Sequence, residues 1–296
     1  MQNTEVMTGA MVDSSMRRAL IFGQMTFIIP VTVLSLLVLT AIFAPFLAPY
    51  SPTKISMTER LLPPFFSDGG STAHLLGTDL IGRDVLSRVI YGARVSLSVS
   101  LIVILITGSI GAVLGIIAGY LGGRTDASLM RITDISLAFP PILIALLFAT
   151  IIGPGYWTVV LSISILGWAP YARLIRGETL KLREADFVSQ ARIIGSSSLR
   201  IMVRHIFPNI VNPLIVLATL SVGIVILTEA ALSYLGAGIP PPTPSWGAMV
   251  NDGRNLIDRA WWISFFPGLA IGLVVLSGNF LGDWLRDRLD PRLRQL

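Results

Sequence analysis

Five runs of the chain carry no charged side chain: Ala19–Thr53, Val95–Gly123, Ile135–Ala172, Ile206–Thr228 and Ala260–Gly282. A helix that crosses a bilayer needs about 20 consecutive, mainly apolar residues, and a charge at its centre costs roughly 2.5–3.5 kcal/mol. Each run is long enough for one crossing. The run 135–172 is long enough for two, with Gly153-Pro154-Gly155 supplying a turn near its middle. The expected fold is an all-α integral membrane protein with six transmembrane helices, near residues 25–47, 97–121, 136–152, 157–174, 209–232 and 262–281. Composition agrees. Only 13% of the 296 residues are charged, against about 25% in soluble domains, and mean hydropathy is +0.75.

Direction follows from the basic residues. With both termini cytoplasmic, 15 of the 22 lysines and arginines fall inside and 7 outside, as the positive-inside bias requires. The reverse orientation would put the basic 173–204 stretch outside. The pI near 10 therefore reflects residues flanking the spans; the bilayer is the expected partner, not nucleic acid. The division is a cytoplasmic segment 1–24, a transmembrane domain 25–281 and a cytoplasmic tail 282–296. Within the domain lie outer loops 49–94 and 233–260 and a cytoplasmic loop 175–207. The first apolar stretch exceeds the 7–15 residues of a signal-peptide core and follows 24 other residues, so it reads as an uncleaved helix.

Inside the membrane, Gly111, Gly115 and Gly119 recur every four residues. They fall on one helix face and let a neighbouring backbone approach closely. That face serves packing or, alternatively, sliding during transport. Asp134, Glu229 and Asp283 stand at span edges, where water or a local partner satisfies them. Pro140 and Pro141 start the third helix, since a first turn tolerates proline, and Pro267 is placed to kink the last.

In the first outer loop, Val85, Leu86, Val89, Ile90 and Ala93 share a helical face opposite Arg83, Asp84, Ser87, Arg88 and Arg94. This suits a helix lying in the membrane interface or the lead-in to the second span. Pro240, Pro241 and Pro242 favour an extended stretch in the second outer loop. Trp246, Trp261 and Trp262 suit the outer interface. The second outer loop reads as an ordered cap over the bundle or as a contact with a partner or substrate; Pro242, Trp246, Arg83 and Asp84 are candidates for an outer gate or a binding-protein contact.

Several chemistries lack their signature. There is no cysteine, no G-x-x-x-x-G-K-[ST], no G-x-S-x-G and no H-E-x-x-H. His74 and Asp79 supply too few ligands for a metal. No catalytic residue, metal or bound cofactor is expected on this chain.

The segment 184–209 is polar yet ordered. Phe187, Val188, Ala191 and Ile194 share one helical face, opposite Glu184, Asp186 and Arg192. Gly195 breaks the pattern, Ser196–Ser198 cap a second helix, and Leu199, Met202, Val203 and Ile206 follow. Pro208 opens the fifth span. Such a knob either fits a groove in a partner or packs on the protein's own helix ends. The pattern alone does not choose.

The segment resembles the EAA loop of ABC importer permeases, E-A-A-x-x-x-G-x9-I-x-L-P. It matches at Ala191, Gly195 and Pro208 and departs at Ser189, Gln190, His205 and Phe207. The rest of the chain is similar to the second, C-type, permease of dipeptide/oligopeptide/nickel importers. His74-Leu-Leu-Gly-Thr-Asp79, Gly82-Arg-Asp-Val-Leu-Ser-Arg88, Glu229-Ala-Ala-Leu-Ser-Tyr-Leu-Gly236, Pro242-Thr-Pro-Ser-Trp-Gly-Ala-Met249 and Gly282-Asp-Trp-Leu-Arg-Asp-Arg288 carry that resemblance. It implies a non-catalytic inner-membrane subunit. The expected partners are a homologous second permease, two ATP-binding subunits or domains that hold ATP and Mg, and an extracytoplasmic binding protein. It also implies that Glu184, Asp186, Phe187, Ala191, Gly195, Ser196, Arg200 and Pro208 couple to the ATPase. Di- and oligopeptides are the expected cargo, with nickel chelates, glutathione or another small solute as alternatives. A self-sufficient secondary transporter is the rival class.

Overall fold

The structure, a computed structural model, describes residues 27–289. The expected segment 1–24 and the end of the tail, with Arg17, Arg18, Arg292 and Arg294, lie outside the described residues. Apart from one isolated bridge between Thr78 and Asp84, the regular elements described are helical. In order they are α1 Phe27–Ile42, α2 Ala44–Leu47, α3 Val85–Leu121, α4 Gly123–Ala138, α5 Pro141–Ile152 and α6 Tyr156–Arg183. There follow α7 Asp186–Ile193, α8 Ser198–Arg200, a π-helical Ile201–Ile206, α9 Phe207–Tyr234, α10 Trp246–Gly253, α11 Ile257–Ala260 and α12 Trp262–Leu289.

Among the described residues, four helices are long and apolar enough to cross a membrane: α3, α6, α8 to α9 as one unit, and α12. The pair α4 and α5 counts as a fifth only if taken together, and it is bent by 82°. The expected straight span 136–152 is thus broken. Phe139 and Pro140 are both extended, because a residue before proline is driven out of the α region. The 12 residues of α5 rise only about 18 Å, short of a core about 30 Å thick. The first apolar helix, α1, is likewise shorter than a full span over its described length.

Other boundaries follow the expected chemistry. Gly153, at φ 95°, ends α5, and α6 begins three residues later. Helix α12 runs unbroken through Pro267, and α6 through Pro170. The lead-in reading of residues 85–94 is the one found: α3 is a single helix of 37 residues, about 55 Å long. Asp84 caps it, its carboxylate accepting from the Ser87 backbone N–H at 2.7 Å.

The glycine face of α3 is a packing face. A Cβ at Gly115 would lie 2.7 Å from the Ala172 carbonyl oxygen and 2.9 Å from Ile175 Cβ. One at Gly119 would lie 2.7 Å from Thr179 Cβ, and one at Gly111 would meet Tyr171 Cβ and the Trp168 carbonyl. Here α3 and α6 approach backbone to backbone, with no room for a Cβ at these three positions. Overpacking a tight site costs about 1–3 kcal/mol. Gly115→Leu is therefore expected to lower the thermal midpoint of the solubilised protein. Gly272→Ala, on α12 with open space around it, is expected to leave the midpoint unchanged or slightly raised. Fluorescence-detected size-exclusion melting reads both.

Candidate functional site

The bundle carries ordered structure at both ends. One end holds a knob built from α7, α8 and the π-helical turn. Helix α7 closes with Gly195 at φ 84°. The Gly195 N–H donates to the Arg192 carbonyl at 3.1 Å, and the Ser196 N–H to the Ala191 carbonyl at 3.0 Å. This is a Schellman motif, which requires a left-handed residue that glycine adopts without strain. The cap of the next helix is Ser197, not Ser196: its hydroxyl accepts from the Arg200 N–H at 3.4 Å. The second knob helix is not separate from the fifth span. It passes through the π turn into α9, and Pro208 lies inside this continuous helix. The widened turn accommodates the proline, and Asn209 Nδ2 donates to the His205 carbonyl at 2.7 Å.

The knob has two faces, one packed on the protein's own helices and one exposed. Val188, Ala191, Ile201 and Ile206 are buried, packed with Ala112, Ile116 and Tyr120 of α3, Ile175 of α6 and Ile210 of α9. Arg192 stacks over the Tyr120 ring at 5.9 Å. Ile193 (85% exposed), Ile194 (83%), Leu199 (68%) and Val203 (60%) point away from the bundle. Phe187, Glu184, Asp186 and Arg200 are exposed beside them. The expected common face of Phe187, Val188, Ala191 and Ile194 is split: Val188 and Ala191 are buried, whereas Phe187 and Ile194 are exposed. The Schellman turn rotates Ile194 out, and Ile193, which the wheel did not single out, joins it.

At the same end, α4 is tied to α6 by charge. The Arg176 guanidinium grips Asp126 through both carboxylate oxygens, and Arg173 pairs with Asp134.

The opposite end is a cap made from residues 49–84 and α10. His74, Asp79, Asp84, Ser87 and Arg88 are buried there, contrary to the expectation of a helix with an exposed charged face, while Asp252 at the edge of the cluster is exposed. Asp79 and Arg88 have almost no exposed surface. Asp79 accepts from Arg83 Nε at 2.6 Å and from Arg88 Nη1; Asp252 accepts from Arg88 Nη2 at 3.0 Å and Arg83 Nη2 at 3.3 Å. Asp84 accepts from His74 Nδ1 at 2.9 Å, which fixes the proton on that nitrogen. Among the described residues no group of three or more potential ligands surrounds a metal position.

Two tryptophans expected at the membrane interface are structural. Trp246 is completely buried, and its indole donates to the Val89 carbonyl at 3.0 Å. Trp262 donates to the Thr78 carbonyl at 3.0 Å. Trp261 alone of the three is exposed. Glu229, also fully buried, accepts from Ser233 at 2.8 Å and Ser96 at 3.1 Å. Of the four candidates for an outer gate or contact, Asp84 and Trp246 are enclosed, Arg83 is largely buried in the ion cluster, and Pro242 is exposed.

This is the architecture of a multi-pass membrane permease. The fold resembles the methionine ABC transporter MetNI in inward-facing conformations, with a TM-score of 0.56 over 69% of this chain and 96% of that one at 15% identity. The chain belongs to the family of binding-protein-dependent transport system inner membrane components, whose model matches residues 111–295. Residues 25–64 match the N-terminal transmembrane domain of oligopeptide transport permease C. A di/tripeptide transport system permease of Pseudomonas aeruginosa is 44% identical over 259 residues, covering 88% of this chain and 86% of the relative. A dipeptide transport permease of Haemophilus influenzae is 41% identical over 257 residues, 87% of each. A glutathione transport permease of Pectobacterium atrosepticum is 41% identical over 259 residues, covering 88% and 84%.

Removing one partner of a buried ion pair costs about 3–5 kcal/mol, because the other charge stays behind uncompensated. Arg88→Met leaves Asp79 with Arg83 as its one guanidinium partner, so the loss falls at or below the low end of that range. It is expected to loosen the cap, read as tryptic cleavage at Lys54 or Arg60 in the folded protein and as a lower melting midpoint. Cleavage resistance equal to the wild type would show that the cluster does not hold the cap.

Proposed function

We propose that the chain is a non-catalytic permease subunit of an ATP-driven importer in a bacterial inner membrane. In this reading both termini are cytoplasmic, α1 and the bent pair α4 and α5 complete six crossings, the knob faces inside and the cap outside. The excess of basic residues near the knob supports that orientation. A homologous second permease completes the translocation path, and an extracytoplasmic binding protein delivers the cargo at the cap. Two ATP-binding subunits or domains hold the ATP and Mg.

The observation that carries the coupling role is the exposed apolar group Ile193, Ile194, Leu199 and Val203 on a knob whose other face is locked into the bundle. Apolar anchors presented on short helices suit a groove in a partner. Glu184, Asp186, Phe187, Ala191, Gly195, Ser196, Arg200 and Pro208 all lie in or next to this knob, some as contacts and some as shape. Movement of a groove around the exposed face would tilt α7 and the α8 to α9 unit, and with them the spans. Di- and tripeptides are the proposed cargo, from the names of the similar proteins above. The glutathione permease fits the same class, since glutathione is itself a tripeptide.

Reconstitution of the complete transporter in vesicles tests this. Peptide-loaded binding protein is expected to stimulate ATP hydrolysis and drive uptake of labelled dipeptide. Substitutions at exposed positions usually change stability by no more than about 0.5 kcal/mol. Ile193→Asp with Leu199→Asp should therefore insert and fold normally yet lose at least about tenfold of the stimulated rate, the ~1.4 kcal/mol of two lost apolar contacts. Stimulation and uptake within twofold of wild type would refute coupling through the knob. Uptake by this chain alone without ATP would point to a secondary transporter.

A further inference from the structure

We propose that the chain binds one phospholipid, its phosphate on Arg94 and an acyl chain in the crevice between α1, α3, α9 and α12. This rests on the membrane orientation proposed above.

The crevice has a volume of about 660 Å³. Leu34 and Val38 of α1, Leu97, Leu101 and Ile104 of α3 and Val222 of α9 give it apolar walls. An aqueous solute gains little from such walls, whereas a hydrocarbon chain exchanges one apolar surrounding for another and adds close contacts. The depth suits a chain. From Arg94 to Ile104 the helix descends ten residues, about 15 Å, which is half of a hydrocarbon core about 30 Å thick.

The lining holds one charged feature that lipid tails alone leave unexplained. Arg94 is exposed and, among the described residues, has no carboxylate or hydrogen-bond partner. It stands at the cap-end rim of an otherwise charge-free span, where a phospholipid headgroup lies. Guanidinium and phosphate match in charge and in fork geometry. The cationic rim and the apolar channel below it follow the order of headgroup and acyl chain in one lipid.

The occupant is tested on the complete transporter, purified in detergent and stripped of lipid. Phosphatidylglycerol is titrated in and counted by native mass spectrometry on this subunit, with inorganic phosphate in a parallel arm. One tight lipid is expected on the wild type. Arg94→Gln should weaken it about tenfold, as loss of one charge-assisted contact does, and Arg94→Lys should recover much of it. Ala218→Phe, which fills the crevice from α9, should abolish it. Unchanged lipid binding by Ala218→Phe would overturn the proposal. So would displacement of the lipid by millimolar phosphate, which would make Arg94 a plain anion site. A disulfide formed between Leu101→Cys and a cysteine on the second permease would overturn it too, by giving the crevice to a partner helix. The chain has no native cysteine, so Arg94→Cys labelled from either side of sealed vesicles reports orientation separately. Labelling only from inside would overturn the assigned orientation while leaving lipid retention to be judged on its own.

Discussion

The close approach of α3 and α6 is the contact on which the remainder depends. Three glycines let the two backbones touch, and a helix pair joined that way resists both sliding and separation. Because α3 is continuous over about 55 Å, it links the two ends of the molecule. Its first turns hold the cap through Asp84, Arg88 and the close fit of Gly92 against Trp246. Its last turns hold the knob through Ala112, Ile116 and Tyr120. A force applied at the knob meets a braced rod rather than a loose collection of spans. Packed interfaces of this kind move as rigid bodies between discrete arrangements, not by gradual bending.

Long elements were legible in the chain because the bilayer imposes one simple rule, the absence of charge over about 20 residues. The glycine face, the Gly153 turn and the Gly195 break were legible for a second reason: a missing Cβ has a local consequence wherever it falls. At the cap, the burial of the charged residues was not legible. A helical wheel assigns Arg83, Asp84 and Arg88 to solvent, since charges seek water when nothing else is available. The two arginines pair with Asp79, only a few residues upstream, and with Asp252, more than 160 residues away, while Asp84 pairs with His74. Nothing in the local pattern announces a carboxylate at that distance. Trp246 and Trp262 were misread for the same reason: an indole suits an interface or a buried hydrogen bond equally well, and only the distant carbonyls of Val89 and Thr78 decide.

The knob could be half read. Apolar spacing identified its helices but could not separate the residues that fasten it from those it displays. The difference arises at Gly195, whose left-handed turn ends α7 and leaves Ile193 and Ile194 outside. Four large aliphatic side chains held in the open by a rigid support are unfavourable for an isolated subunit in water. Their presence is explained if another surface covers them, since contiguous exposed apolar patches mark interaction sites.

The two ends are built for opposite mechanical duties. At the cap, charge is buried and paired, and an arrangement that loses several kcal/mol when one partner leaves has a steep penalty for partial opening. Such a cap is held shut or displaced as a unit. At the knob the fastening is apolar on one side and bare on the other, so a partner can grip it without breaking an internal ion pair. At the same end, Asp126 with Arg176 and Asp134 with Arg173 secure α4 to α6, and the sharp bend that follows α4 places α5 at 82° to it. A pull on the knob is thus passed to α3, α6 and α9, while α4 is carried along with α6.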